Sequence, residues 1–179
     1  MKIQNGWLEG VRRVISPNRD ARPADAVIDL LVIHGISLPP GEFGGPHIEA
    51  LFTNTLDPAA HPYFAKACAA RVSSHVLIRR SGELIPFVPF HERAWHAGAS
   101  CFENRTRCND FSIGIELEGS DDDPFTGIQY EKLAELTRAL QEAYPIEDIV
   151  GHSDIAPVRK TDPGPCFDWQ KFRSLVSAG

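Results

Sequence analysis

Two histidines and one aspartate are the side chains of this 179-residue sequence best placed to hold a metal ion. His34 comes directly after the apolar residues 31–33, and His152 directly after residues 149–151. Sheets covered by helices place ligand-binding groups at strand ends, because the loops there vary on a rigid framework. Asp162 lies ten residues after His152, in a segment stiffened by prolines that could hold its carboxylate toward that histidine.

Two imidazoles and one carboxylate form a ligand set of catalytic zinc, which keeps a fourth position for water. Bound zinc lowers the pKa of that water to about 7, so that hydroxide is available at neutral pH. A structural interpretation remains open, in which each histidine satisfies a buried hydrogen bond and Asp162 begins a Pro-Gly turn. The spacing does not decide between the two, because the chain has no H-E-x-x-H motif to fix the pair.

Glu116 and Lys160 are candidates for catalytic groups beside such a metal. Glu116 interrupts an alternating apolar run, residues 111–117, and charged residues are seldom buried without a partner. The small Gly114 on the same side would leave room for a ligand; alternatively, Glu116 lies on the solvent face of an edge strand. Lys160 could stabilise the oxyanion that forms when hydroxide adds to a carbonyl, or it could be a solvated loop charge.

The elements that must position these residues follow from the apolar pattern. Strands are predicted at residues 27–33, 75–78, 83–88, 111–117 and 146–150. The first of them is apolar almost throughout, which indicates a strand with both faces covered. The second and third form a hairpin, with Ser-Gly at the turn.

Helices are predicted at residues 48–52, 62–70 and 128–144. The longest repeats leucines at helical spacing, and Thr126 with Gln129 resembles a capping box before it. Pro145 ends it. The mixture of strands and helices predicts an α/β layer fold with one mostly buried sheet.

Composition limits the function classes. A chain of this length with 42% hydrophobic residues fits one domain, residues 1–179. A net charge of −6 argues against nucleic acid and anionic membranes as partners. There is no apolar run near the ~18 residues of a membrane helix and no readable signal peptide, so we expect a cytoplasmic protein.

Four segments together carry a resemblance to a known family. They are residues 41–46 (GEFGGP), 93–98 (RAWHAG), 109–119 (NDFSIGIELEG) and 160–165 (KTDPGP). The chain resembles the type 2 N-acetylmuramoyl-L-alanine amidases, which include phage amidase lysozymes and peptidoglycan recognition proteins. The resemblance covers nearly the whole chain and is strongest to the cytoplasmic members that act on 1,6-anhydro-muropeptides.

The resemblance implies a central mixed β-sheet with helices on its faces, and one zinc ion per chain. His34, His152 and Asp162 match the zinc ligands of the family, and Glu116 and Lys160 match its catalytic pair. The implied reaction is hydrolysis of the amide between the lactyl group of anhydro-muramic acid and L-alanine. Its substrates are cell-wall fragments undergoing recycling, which in some bacteria signal β-lactamase induction.

Substrate contacts are also implied by the resemblance. Arg71 and Arg107 are similar to residues that bind stem-peptide carboxylates, and Trp95 offers an aromatic wall. As alternatives, both arginines could be surface residues and Trp95 a core aromatic. Gly35 departs from the family pattern, in which an asparagine follows the first zinc histidine.

Two other functions remain open. The chain could be an amidase that lyses polymeric cell wall, or a non-catalytic peptidoglycan-binding sensor. Such sensors typically lack a zinc ligand, and here all three candidate positions are filled. We expect a monomeric hydrolase with a small-molecule substrate.

Overall fold

The chain folds into eleven strands and five α-helices, and the computed structural model describes residues 1–179. The strands are β1 (Ile3–Gln4), β2 (Trp7–Leu8), β3 (Arg19–Asp20), β4 (Leu30–Ile36), β5 (Val76–Ile78), β6 (Leu84–Pro86), β7 (Arg93–Ala94), β8 (Cys101–Phe102), β9 (Arg105–Thr106), β10 (Ser112–Glu118) and β11 (Asp148–Gly151). The helices are α1 (His47–Phe52), α2 (Phe64–Ala67), α3 (Gly127–Ala143), α4 (His152–Ile155) and α5 (Trp169–Ser177).

The central sheet has five strands in the order β11-β4-β10-β5-β6. Strand β4 runs parallel to β10 and β11, β10 runs parallel to β5, and β6 is antiparallel to β5. The sheet is therefore mixed, and the predicted α/β fold is confirmed. None of the helices combines the length and apolar character needed to span a bilayer.

Strand β4 begins and ends three residues later than the predicted strand at residues 27–33. Val27 is 56% exposed, whereas every residue from Leu30 to His34 is buried. Pairing with β10 continues to the Ile36–Glu118 register position, so backbone hydrogen bonds carry the strand beyond its apolar run. His34 consequently lies inside the strand, and its prediction as the residue after the strand was wrong.

Strand β10 confirms the alternating pattern predicted for residues 111–117. It pairs on both sides, so Glu116 is not on the solvent face of an edge strand and that alternative was wrong. Ile113, Ile115 and Leu117 pack with the leucines of α3 in the largest core cluster. Each fully buried aliphatic side chain of this kind contributes about 1.5–3 kcal/mol of transfer free energy. That face of β10 is packed, which leaves the opposite face, with Glu116, for the cavity.

Helix α3 is positioned by the capping box predicted at its start. The Thr126 side chain accepts a hydrogen bond from the Gln129 backbone, and the Gln129 side chain accepts one from the Thr126 backbone. The hairpin of β5 and β6 is also confirmed, and Gly82 in its turn has a φ of 85° that favours glycine. Helix α2 is shorter than predicted. Helix α5 was missed, as were the three small strand pairs, β1–β2, β3–β7 and β8–β9.

Replacing Thr126 by alanine is expected to lower the free energy of unfolding by about 0.5–2 kcal/mol, because a backbone donor of α3 loses its acceptor. The measurement is the midpoint of urea unfolding at constant slope. Thr106→Ala, at an exposed threonine of β9, is the matched control and should shift the midpoint less. Equal shifts in the two variants would contradict a specific capping role.

Candidate active site

Three neighbouring strands bring the candidate metal ligands and the candidate base together. His34 of β4 is the direct register partner of Glu116 of β10. Directly paired residues of adjacent strands project to the same face of a sheet, so both side chains face one side. His152 follows Gly151, which pairs with Ile33 on the other side of β4. The ends of β11, β4 and β10 therefore form a common floor.

The candidate metal ligands converge on one point. Nδ1 of His34 lies 2.9 Å from Nδ1 of His152, and each of these nitrogens lies 3.1 Å from Oδ2 of Asp162. A backbone hydrogen bond from Ser153 N to Asp162 O, 2.9 Å long, holds the loop that carries the aspartate against α4. The structure thus brings together all three residues that the sequence predicted as ligands.

The donor set fits a small tetrahedral cation. Zinc bonds of about 2.0–2.1 Å separate neighbouring tetrahedral ligands by about 3.3 Å, which is close to the distances observed here. A neutral imidazole carries one proton, and the Nε2 atoms of His34 and His152 lie beside other groups, Nδ1 of His96 and the carbonyl of Ala97. With those protons on Nε2, the two Nδ1 atoms and the carboxylate oxygen present only lone pairs to one another. A shared cation resolves this, because it is bound by all three lone pairs.

Contacts among the ligands set the charge state of Asp162, whereas burial sets that of His34. Burial lowers the pKa of His34 to about 4, so the imidazole is neutral at pH 7, as metal binding requires. Burial opposes ionisation of Asp162, but contacts with His152 and His34 outweigh it and lower the pKa of the carboxyl. The site therefore presents neutral imidazole and an ionised oxygen.

Glu116 lies beside these ligands with an unpartnered oxygen. Its side chain is 9% exposed, and Oε2 is buried without a hydrogen-bond partner. Burial raises its pKa well above the ordinary value; the charge of Asp162 adds to this effect and the ammonium of Lys160 opposes it. A buried carboxyl group with a free oxygen and a raised pKa is suited to accepting a proton from a ligand in the cavity.

A cavity of about 580 Å³ opens above this floor. Its wall includes Glu116, Lys160 and all three candidate metal ligands, together with apolar side chains of α1 and of the segment around α2. The volume is in the range of small-molecule sites, and polar residues outnumber hydrophobic ones in the wall. Lys160 is half-buried in the cavity wall and is not a freely solvated loop charge.

The space beside Gly114 is taken by the protein itself. A Cβ atom at this position would lie 2.4 Å from the ring of His96, so the glycine allows the imidazole to pack flat on β10. The prediction that Gly114 leaves room for a ligand was therefore wrong. His96 also lines the cavity. From the sequence it was interpreted as a structural residue that could orient a loop or the groups around a site, and not as a catalytic or metal-binding one. The sequence feature that could have pointed to His96 is its position in the motif at residues 93–98.

The sequence profile of the family described as N-acetylmuramoyl-L-alanine amidase matches residues 24–165. The chain belongs to this amidase family. It is 61% identical to the 1,6-anhydro-N-acetylmuramyl-L-alanine amidase AmpD of Escherichia coli K12, over 99% of this chain and 98% of the relative. It is 51% identical to AmpD of Haemophilus influenzae, over 97% of this chain and 96% of the relative.

Solved structures of the amidase family share the fold. A crystal structure of an AmpD selenomethionine derivative has a TM-score of 0.96 at 60% identity, covering 98% of this chain and 99% of that one. The amidase AmiD of E. coli, in complex with the substrate anhydro-N-acetylmuramic acid-L-Ala-D-γ-Glu-L-Lys, has a TM-score of 0.62 at 31% identity. That match covers 86% of this chain and 60% of AmiD.

The three residues predicted to bind substrate lie outside the cavity wall of this family member. Arg71 is exposed and donates to the carbonyl of Cys68. Trp95 is half-buried, and its Nε1 donates to Asp20 Oδ1 at 3.2 Å. Arg107 is 69% exposed and pairs with Asp110. Their contact with substrate stays a prediction.

Gly35 lies in β4 at the cavity wall, next to His34. A Cβ at this position would lie 3.4 Å from the Phe125 ring and 3.5 Å from the carbonyl of Pro163, which are ordinary van der Waals distances. A Cβ atom is therefore accommodated at position 35 without displacing its neighbours.

Proposed function

We propose that this chain is a zinc-dependent hydrolase of the amide between the lactyl group of 1,6-anhydro-N-acetylmuramic acid and L-alanine of the stem peptide. The observation that carries the proposal is the convergence of His34, His152 and Asp162 on one point, beside Glu116 and Lys160, in one cavity. High identity to AmpD proteins over nearly the full chain supports the choice of substrate.

His34, His152 and Asp162 would hold the zinc ion. When bound, zinc supplies Lewis-acid polarisation of a carbonyl and lowers the pKa of water. The ring nitrogens and the carboxylate leave the cavity side of the site open, as catalytic zinc sites do. No serine or cysteine nucleophile is needed, because water is the attacking group.

Glu116 would act as general base and then as general acid. Its free Oε2 accepts a proton from the attacking water and returns it to the departing alanine nitrogen. The raised pKa makes the carboxylate a stronger base than an exposed glutamate, and so favours the first transfer. The ammonium of Lys160 would donate a hydrogen bond to the oxyanion of the tetrahedral intermediate.

We propose a physiological setting from the resemblance to AmpD proteins. Residues 1–179 would act as a single domain and a monomer, in the cytoplasm, on muropeptides released during peptidoglycan recycling. The cavity, at about 580 Å³, would hold a small fragment with its scissile amide over the metal site. The fragments that it degrades would include those that signal β-lactamase induction.

The test is incubation of the purified protein with an anhydro-muropeptide. We expect free anhydro-N-acetylmuramic acid and a peptide with a new amino terminus on L-alanine, both identified by mass spectrometry. Intact sacculi are the comparison substrate and should be cleaved far more slowly. Equal rates on sacculi would favour a wall-lysing amidase, and tight binding without products would favour a sensor.

Lys160→Met is expected to lower kcat by about 10²–10³-fold, the usual effect of losing one donor to an oxyanion. Zinc content and KM should change little, because the ammonium acts on a charge that develops only in the transition state. Steady-state kinetics and metal analysis measure these quantities, with Lys66→Met on the exposed side of α2 as control. A raised KM with unchanged kcat would instead place Lys160 in substrate binding.

A further inference from the structure

We propose that the dipeptide of His96 and Ala97 positions both zinc histidines, fixing each imidazole in the tautomer that presents Nδ1 to the metal. The inference rests on the zinc site proposed above, and it assigns a positioning role to residues that do not bind the metal. Metal-binding histidines commonly donate their second ring N–H to a fixed acceptor, which sets the tautomer and the ring orientation. Here the two acceptors are neighbours in the chain.

The chain of hydrogen bonds behind His34 has one consistent direction. Nε2 of His34 lies 2.9 Å from Nδ1 of His96, and Nε2 of His96 lies 3.3 Å from Oγ of Ser112. The Ser112 hydroxyl donates to the carbonyl of Cys108 at 2.5 Å, and a carbonyl can only accept. Ser112 therefore accepts from Nε2–H of His96.

That direction settles the protons on both rings. Nε2 of His96 carries the proton that Ser112 accepts, so in the neutral ring Nδ1 has no proton. Nδ1 of His96 is then an acceptor, and it receives the Nε2–H of His34. The remaining nitrogen of His34, Nδ1, has its lone pair free and faces Asp162 and His152.

The second imidazole is fixed by the next residue. Nε2 of His152 lies 3.2 Å from the carbonyl oxygen of Ala97, to which it must donate, so Nδ1 of His152 also keeps its lone pair. The same carbonyl accepts from Nη2 of Arg159 at 2.8 Å, and Arg159 also donates to the carbonyl of Ala99 at 2.9 Å. The carbonyl of Ala97 therefore accepts two hydrogen bonds, one from His152 and one from Arg159.

The dipeptide itself is rigidly supported. Oδ1 of Asn109 accepts from the backbone N–H groups of both His96 and Ala97, at 3.1 Å and 2.8 Å. The His96 ring packs on Gly114, where a Cβ atom would collide with it, and the His34 and His96 rings meet edge to face with centroids 5.0 Å apart. The side-chain oxygen of Asn109 and the absence of a side chain at Gly114 thus keep Nδ1 of His96 and the carbonyl of Ala97 in place.

The test compares two replacements of nearly equal size at one position. The side-chain oxygen of asparagine can stand near the place of Nδ1 and accept from His34, whereas leucine cannot. His96→Leu is expected to weaken zinc binding by about 10–100-fold, and His96→Asn to recover most of that loss. The measurement is the zinc dissociation constant at fixed pH, by competition with a chromophoric chelator.

His75→Leu is the matched control. His75 is also fully buried, and its ring centroid is 5.8 Å from that of His96. Its ring nitrogens pair with Arg22, the carbonyl of Glu92 and the backbone N–H of Gly114, and with neither zinc histidine. Its replacement tests for general loosening of the core and should leave the zinc dissociation constant within about threefold, well below the effect expected at an outer-shell position. If His96→Leu does not fold, Ser112→Ala is the alternative variant. It removes the hydroxyl that accepts from Nε2–H of His96 and should weaken zinc binding by about 10-fold.

Nitrogen-15 spectra of histidine-labelled protein provide a readout that does not depend on zinc. We expect the His96 ring to carry its proton on Nε2, with Nδ1 bare, in both metal-free and zinc-loaded protein. A proton on Nδ1 of His96, or a wild-type zinc affinity in folded His96→Leu, would overturn the inference. Absence of zinc binding by the wild type would instead overturn the proposed function, and the spectra would still report the His96 tautomer.

Discussion

Complete removal of zinc by a chelator is expected to reduce hydrolysis of anhydro-muropeptides to background, and one equivalent of Zn²⁺ per chain to restore it. The reason is that the proposed reaction uses a water molecule whose pKa zinc lowers, and no side chain in the cavity lowers it in the same way. Magnesium should not restore activity, since two of the three candidate ligands are imidazoles and Mg²⁺ prefers oxygen. Product formation is followed by chromatography, with metal content measured on the same samples.

Zinc should also stabilise the folded chain, because the unfolded chain has no assembled site. Binding at 100 times the dissociation constant contributes about 2.7 kcal/mol. For a chain of this length that corresponds to a rise in Tm of about 5–10 °C. Full activity in protein shown to be free of metal would contradict the proposed mechanism, whereas lost activity with an unchanged Tm would contradict the proposed ligand set.

Glu116→Gln is expected to lower kcat by about 10²–10⁴-fold, because the amide cannot shuttle a proton between water and the leaving nitrogen. The same change should raise the stability of the metal-free protein. Glutamine keeps the shape of the side chain but has no charge to desolvate, and Oε2 of Glu116 has no partner to offset that cost. Loss of activity together with gain of stability would mark a residue retained for its chemistry.

The gain in stability should depend on pH in a defined direction. Below the ordinary carboxyl pKa of 4.5, Glu116 is protonated in both the folded and the unfolded chain, and the two variants should be equally stable. Above it, the unfolded chain releases the proton while the folded chain retains it, since the folded pKa is raised. The wild type therefore loses stability relative to Glu116→Gln as pH rises from 4.5 to the folded pKa.

Glu118→Gln is the matched control for that experiment. It lies two residues away on β10 and is also buried, but its carboxylate pairs with Arg79 at 2.9 Å and accepts from the backbone of Gly44. Neutralising it removes one of the two carboxylate partners of the buried Arg79 guanidinium, the other being Glu49, so this variant should be less stable than the wild type. Parallel thermal melts of the two variants measure the contrast, and a stability gain in both would contradict the role of the free oxygen.

Local patterns predicted the parts of the fold that are held by local or periodic interactions. The alternation in β10 and the capping box of Thr126 and Gln129 depend only on residues close together in the sequence, and both are confirmed. Helix α5 was available to the same reasoning, since Asp168 caps it and Phe172, Leu175 and Val176 follow at helical spacing. Of the three short strand pairs, β1–β2 and β8–β9 are hairpins with two-residue turns whose central residues have positive φ, and the Asn5-Gly6 turn of the first was a local signal that went unused. Only β3–β7 joins segments far apart in the chain.

The sequence predicted some features of the candidate site and missed others. Residue type and spacing, with the resemblance, selected the three groups that converge, although the strand end was misplaced at His34. The extension of β4 depends on pairing with β10, which lies more than seventy residues away in the chain. The position of His96 over Gly114 is a contact between the segment after β7 and strand β10, and no local pattern encodes it.

The register between His34 and Glu116 separates the chemistry into two structural parts. Those two residues lie on hydrogen-bonded parallel strands, whereas Asp162 and Lys160 lie on a loop. Backbone hydrogen bonds from Ser153 to Asp162 and from Lys160 to Ala156 hold that loop against α4 and its C-terminal end. The paired strands β4 and β10 thus fix the positions of one candidate metal ligand and the candidate base without the loop. A designer could exchange the loop for any segment that returns an aspartate and a cation to the same place, and obtain new selectivity on an unaltered reaction centre.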